Sequence, residues 1–244
     1  MSAQDGGIDA ADRARPLLAG RSVLVVGPSD PTSLAIARLA RDRGALVALA
    51  TPGGSPGEVG DLAWFSGDIR SENAVDQLLD SVVTMHPELD TIIAVVPAEP
   101  LGRVHELSPV VWHQRVSAPL RTVFWLARRV VEEFLGTRAR GRLVLVLTAP
   151  PSDGPVNEVV EGALCSFARS FAREYGRRSL ACNLVVAPAA ISSAGPSNRE
   201  ALTATIEHVL FLASEASSFM NGEVLRAVHR REPATERSER AGPD

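Results

Sequence analysis

The chain has 244 residues, 25 basic and 29 acidic, and its formal net charge of -4 provides no basic field for nucleic acid or an anionic membrane surface. Every basic residue is arginine, so chemistry that needs a lysine, such as a Schiff base or a P-loop contact, is excluded. The length and the 45% apolar content fit one α/β domain, and with neither an apolar targeting core nor a run of about 18 apolar residues the expected location is cytoplasmic.

Residues 1–19 are small and polar, and residues 229–244 are charged with two prolines, so both ends are expected to be disordered around a single domain at 20–228. Short β-branched runs at 22–26, 46–50, 62–66, 91–96, 143–147, 182–187 and 223–228 alternate with amphipathic stretches. Such alternation predicts a Rossmann-like, doubly wound α/β fold: seven parallel strands with helices on both faces. The first helix is expected at 32–43, stopped by Gly44 in a left-handed C-terminal position, and the second at 71–85 with Ser71 as N-cap. Two long helices follow at 116–135 and 158–175, each with a broad apolar face, and the first carries Arg128/Glu132 and Arg129/Glu133 at i,i+4 spacing.

The turn after the first strand occupies the place where glycines normally admit a dinucleotide pyrophosphate to a helix N-terminus. Here Gly27 is followed by Pro28, Ser29, Asp30 and Pro31. Asp30 before Pro31 reads as N-cap and N1, so its carboxylate is expected to accept the N–H of Thr32 or Ser33 that a phosphate would have used. The second strand ends on Ala50, Thr51 and Pro52, with neither the acid that selects a ribose diol nor the arginine that selects a 2′-phosphate. Gly53 to Gly57 spells G-x-S-x-G, but Pro56 lacks the N–H that an oxyanion hole requires, so a surface loop is expected. The five histidines have no metal-binding spacing, so no metal site is expected, and Cys165 and Cys182 read as small buried apolar residues.

From about 20 to 228 the chain resembles the short-chain dehydrogenase/reductase family. The likeness lies in GDIRSENAVDQLLDSVV at 67–83, LDTIIAVV at 89–96, the helix at 109–135, GRLVLVLT at 141–148, FARSFAREYG at 167–176, NLVVAP at 183–188 and HVLFLASEASSFMNGEVLR at 208–226. The resemblance implies that Gly27, Ser29, Ser33, Asp68 and Ile69 are the candidate cofactor contacts, Asp68 and Ile69 at the adenine. It also implies that Asn157 stands at the catalytic tyrosine position and Glu161 at the lysine position, with Thr148 a loose match to the serine. Pro119 falls near the family's proton-relay asparagine, and two of the three glycines of the cofactor turn are missing.

In this family a hydroxyl acidified by a neighbouring ammonium moves the proton while hydride passes to or from nicotinamide. An amide at 157 does not titrate usefully, and a carboxylate at 161 reverses the required charge. Tyr175, the one tyrosine, falls at a structural position. Only residues 189–205 separate the sixth strand from the next family-like helix, too few for the usual substrate lid.

The expectation is therefore a non-catalytic subunit that needs no cofactor in isolation and assembles through its long helices and C-terminal strand. Its partner would be an active family paralogue in a heterodimer or heterotetramer, or further copies of itself. One alternative is a diverged NAD(P)-dependent oxidoreductase reusing Asp30, Thr148, Asn157 and Glu161; another is a ligand-sensing Rossmann module.

Overall fold

The computed structural model describes residues 16–53, 59–67, 69–97, 103–137, 140–148, 155–188 and 196–227. Its strands are β1 (Ser22–Val26), β2 (Leu46–Thr51), β3 (Ala63–Ser66), β4 (Thr91–Pro97), β5 (Gly141–Thr148), β6 (Leu180–Ala187) and β7 (Val224–Arg226). They form one sheet in the order β3-β2-β1-β4-β5-β6-β7 with every pairing parallel. The winding reverses between β1 and β4, and in such sheets the reversal opens a crevice beyond the carboxyl ends of those two strands.

Strand residues alternate between two apolar layers, which is why the central runs are apolar without interruption. Leu24, Val26, Ala94, Leu143 and Leu145 pack on one face. That face carries α2 (Glu72–Met85), α4 (Ala118–Thr137) and α5 (Pro155–Tyr175) through Leu79, Leu126 and Leu164. Val23, Val25, Ile93, Val144 and Val185 pack on the other face against α1 (Pro31–Asp42) and α6 (Pro196–Ala213), through Ile36 and Leu210. Removing each of the valine, leucine and isoleucine side chains among them from water contributes about 1.5–3 kcal/mol.

Helix ends follow the cap chemistry. Ser71 Oγ accepts the N–H of Ala74 at 3.3 Å, and Gly44 closes α1 with φ +92°. Ser108 caps the short helix α3 (Pro109–Trp112), which continues through a π-helical turn (His113–Ser117) into α4. This long helix therefore starts seven residues before the apolar periodicity does, at Pro109, where proline is suited to a first helical position. Helix α6 likewise begins well upstream of His208: Thr205 is buried and its hydroxyl bonds the carbonyl of Ala201 at 2.8 Å.

One observation corrects the expected outline, and the ion pairs of α4 extend it. Leu18 is fully buried against the α1 layer, and its N–H bonds the Arg43 carbonyl at 2.9 Å, so the folded unit begins before Gly20. Arg129 reaches Asp80 at 2.6 Å on α2 and Glu132 at 3.6 Å, an i,i+3 partner; Arg128 pairs with Glu132 at 2.8 Å as the spacing predicts.

At the amino ends of the strands, away from the crevice, Arg21, Arg140 and Arg142 converge on Glu215 in the turn after α6. Arg142 is almost wholly buried, its guanidinium 3.0 Å from that carboxylate. Among the described residues no helix is long and apolar enough to cross a membrane.

Candidate functional site

The crevice between β1 and β4 is a cleft of ≈ 230 Å³. Val26 and Pro28 form one wall, Ala94 to Pro97 the floor, and Ala118, Thr122 and Leu126 of α4 the opposite wall, with Pro52 and Ile69 closing the side. Its lining is predominantly apolar, with Arg70, Gln114 and Thr122 supplying polar groups. Ile69 is held there because its carbonyl accepts the Thr122 hydroxyl at 3.1 Å.

The turn at the cleft's edge is closed on itself. The N–H of Asp30 bonds the Pro28 carbonyl at 2.8 Å, and an Asp30 carboxylate oxygen accepts the N–H of Ser33 at 2.8 Å, as the Asp-Pro pair predicts. Gly27 is packed from both sides: a Cβ there would lie 2.5 Å from Ser33 Oγ and 2.8 Å from Val95 Cβ. Ser33 Oγ is buried with no hydrogen-bond partner among the described residues. Ser29 lies in the same turn, and Asp68 lies outside the described residues. At the end of β2, Thr51 is buried and its hydroxyl accepts Trp64 Nε1–H at 3.0 Å, so it is engaged within the fold.

Asp30 already takes one N–H at the start of α1. A pyrophosphate needs free N–H groups at the start of α1, where a carboxylate already stands, and two unit charges 4 Å apart near a protein surface repel by about 4 kcal/mol. The hydroxyl at the end of β2 offers a ribose no carboxylate. Of the expected contacts among the described residues, Ile69 lines the cleft, Ser29 is exposed in the turn, and Gly27 and Ser33 pack against each other.

The positions implied for proton transfer lie at the ends of β5 and α5. Thr148 Oγ1 approaches the Val96 carbonyl at 3.5 Å, at the limit of a hydrogen bond. Asn157 Nδ2 is buried with no partner among the described residues. Glu161 is ion-paired with Arg226 of β7, and its carboxylate holds that guanidinium above even an arginine's usual basicity. Burial, with Glu161 nearby, pushes the Cys165 thiol up, and Cys182 is pushed up further by complete burial. Neither is an activated nucleophile.

Tyr175 is one helical turn from Phe171, their ring centroids 5.0 Å apart. Glu174 makes its hydroxyl less acidic than usual, the opposite of what proton transfer to a ketone requires. Among the described residues there is no group of three or more histidine, cysteine, aspartate or glutamate side chains that could hold a metal.

Sequence reasoning missed Arg226 as the partner of Glu161 and Trp64 as the partner of Thr51. The first pair is separated by the strand β6 and the helix α6, and no local spacing announces it.

The fold is that of a crystal structure described as a short-chain dehydrogenase/reductase from Burkholderia xenovorans: the TM-score is 0.73, at 19% identity, over 86% of this chain and 96% of that one. In sequence the chain is 25% identical over 237 residues to cis-4-hydroxycyclohexanecarboxylate dehydrogenase of Sinomonas cyclohexanicum, covering 85% of this chain and 94% of the relative. It is 26% identical over 238 residues to the 3-oxoacyl-(acyl-carrier-protein) reductase MabA of Mycobacterium tuberculosis, covering 88% and 94%. The short chain dehydrogenase family model matches residues 21–201, and with the strand order and the crevice in agreement, the chain belongs to the short-chain dehydrogenase family.

Proposed function

We propose that this chain is a non-catalytic member of an oxidoreductase family, a subunit whose role is assembly with an active paralogue. The observation that carries the reading is Glu161 paired with Arg226: a carboxylate stands where the family places an ammonium, and it is tied to a cation of its own chain. Asn157 beside it offers an amide in place of an acidic hydroxyl. The reading in which Asp30 and Glu161 act as catalytic acids is weaker, because the first caps α1 and the second is neutralised by Arg226. The closed cofactor turn supports a subunit that needs no NAD(P) in isolation, and the composition supports a cytoplasmic one.

Assembly is supported by a groove of ≈ 360 Å³ between α4 and α5, walled by Phe124, Ala127, Val131, Phe167, Phe171 and Tyr175. Phe124 is 55% exposed in the single chain, an unusual position for a side chain of that size. Arg128, Glu132 and Glu174 put both charge signs on the rim, which suits a two-fold contact with a like-folded surface. A family member retaining tyrosine and lysine is the partner that would give such a subunit a use; a second copy is the other occupant.

The test is co-expression with such a paralogue. The expected result is a stable complex, lost on Phe124→Glu, whose NAD(P)H turnover survives Asn157→Ala and Glu161→Ala in this chain but not loss of the partner's tyrosine. Turnover by the isolated chain, or a strictly monomeric chain that binds no paralogue, overturns the reading.

A further inference from the structure

We propose that Asn221 is a deamidation site that the fold holds shut, and that its conversion to aspartate or isoaspartate releases β7 from the sheet. The inference goes beyond the assembly reading and does not depend on it.

Asn221 and Gly222 form the one Asn-Gly pair in the chain. Glycine puts no side chain in the way, so its backbone nitrogen can attack Cγ of the asparagine before it. The new N–Cγ bond closes a succinimide ring and ammonia leaves; water then opens the ring to aspartate or isoaspartate. No other reactant is needed. Asn73, Asn157, Asn183 and Asn198 each precede a residue with a side chain, which hinders the same attack.

The fold engages every group that would react. Asn221 Oδ1 accepts the Cys182 N–H at 2.9 Å, and Nδ2 donates to the Leu180 carbonyl at 3.1 Å. The attacking N–H of Gly222 is bonded to the Cys182 carbonyl at 2.9 Å. Asn183 of β6 grips the same turn from the other side: its Oδ1 accepts the Glu223 N–H at 2.9 Å, and its Nδ2 donates to the Met220 carbonyl at 3.2 Å. Two asparagine amides therefore clasp β6 and the turn reciprocally, each through its donor and its acceptor. Gly222 is required there too, because its φ is +81° and a Cβ would lie 3.0 Å from Ala172 Cβ. The reactive pair is thus built from two residues that the turn needs.

Conversion undoes the clasp. A carboxylate at 221 still accepts the Cys182 N–H, but it sets an oxygen against the Leu180 carbonyl where a donor stood. Isoaspartate also lengthens the main chain just before the register that pairs Leu184 with Val224. Strand β7 has three residues and lies at the edge of the sheet, with β6 as its one neighbour, so it has little else to hold it.

The full-length chain, incubated in mildly alkaline buffer and digested with trypsin, tests the inference by mass spectrometry of the fragment from Glu200 to Arg226, in which Asn221 is the one asparagine. Conversion is expected to be at least about tenfold slower in the native chain than in the same chain unfolded in urea, because reaction must wait for local opening. Asn183→Ala, or Asn183→Ser if the first fails to fold, should speed conversion in the folded chain at least threefold. Asn221→Asp should raise amide hydrogen exchange across residues 220–227 and leave that of β1 and β4 unchanged. Conversion as fast in the native chain as in urea, no conversion in either, or an unchanged rate in a folded Asn183 variant overturns the inference. So does Asn221→Asp with the exchange of β7 unaltered. A chain that fails these tests but assembles with a paralogue loses this inference alone.

Discussion

Glu161 of α5 is ion-paired with Arg226 of β7, so the carboxylate that the resemblance aligns with the family's lysine binds a cation of its own fold. Arg226 is more than half exposed, so the pair contributes less than about 1 kcal/mol to stability. Glu161→Gln is expected to shift the urea midpoint only slightly. Glu161→Lys places two cations together and is expected to destabilise more than Glu161→Gln, without creating reductase activity, because Asn157 remains an amide. NAD(P)H oxidation by Glu161→Lys would contradict this.

Asp30 holds the start of α1 through the Ser33 N–H. Asp30→Ala is expected to cost about 1 kcal/mol, read as a lower melting temperature, while Asp30→Ser or Asp30→Asn recovers most of the loss because either side chain can accept the same N–H. Equal destabilisation by all three would mean that the cap is not what Asp30 supplies.

Acid should weaken the fold in two stages. Burial pushes His86 below its ordinary 6.5 and leaves its Nδ1 without a partner among the described residues. Its neutral form is favoured on folding, so its contribution is present above 6.5 and is lost as pH falls through the lowered folded value. For Glu215 burial opposes ionisation, but the guanidiniums of Arg142 and Arg21 outweigh it and hold the carboxyl below 4.5. That contribution is present above 4.5 and is lost on further acidification. His86→Phe should remove the first stage and Glu215→Gln the second, as measured by denaturant unfolding from pH 7 to pH 3. At pH 7, Glu215→Gln leaves the buried Arg142 without that counter-charge and should cost roughly 1–2 kcal/mol, reduced from the figure for a fully buried pair because Glu215 is half exposed.

Cys182 is wholly buried, whereas Cys165 is partly exposed. Maleimide labelling followed by mass spectrometry should modify Cys165 slowly in the native chain and Cys182 only as fast as the fold opens. Rapid native labelling of Cys182 would show that the β6 layer is looser than its packing implies.

Leu145 lies at the centre of the sheet with no exposure. Leu145→Ala is expected to cost about 2–5 kcal/mol, with the spread set by how far the α4 and α5 side chains can close over the gap. Chemical denaturation gives the value, and a loss under 1 kcal/mol would point to unexpected relaxation of that layer.

The strands and the helix caps were legible in the sequence because both are local. Val23 to Val26 is apolar at every position because each face of a central parallel strand is covered, and Asp30-Pro31 specifies a helix start without reference to distant residues. The residue types at 157 and 161 were readable directly; that they stand at the family's tyrosine and lysine positions is what the resemblance implies, by spacing back from Glu174. Leu18 was misjudged for the same local reason: the two-leucine run at 17–18, between Pro16 and Ala19, is too short to show a period, and only the α1 layer above it shows that it is core.

What the tertiary structure alone decided is which charges meet. Arg226 reaches Glu161 and Arg142 reaches Glu215 because the winding of helices over the sheet brings together residues 65 and 73 positions apart, a distance over which no sequence period operates. It likewise decided that Thr51 is engaged by Trp64 and that an apolar cleft stays open beside a closed turn. Local composition sets backbone preference and side-chain charge; the partner of each charge is set by the crossing of strands and helices, which exists only once the sheet is wound.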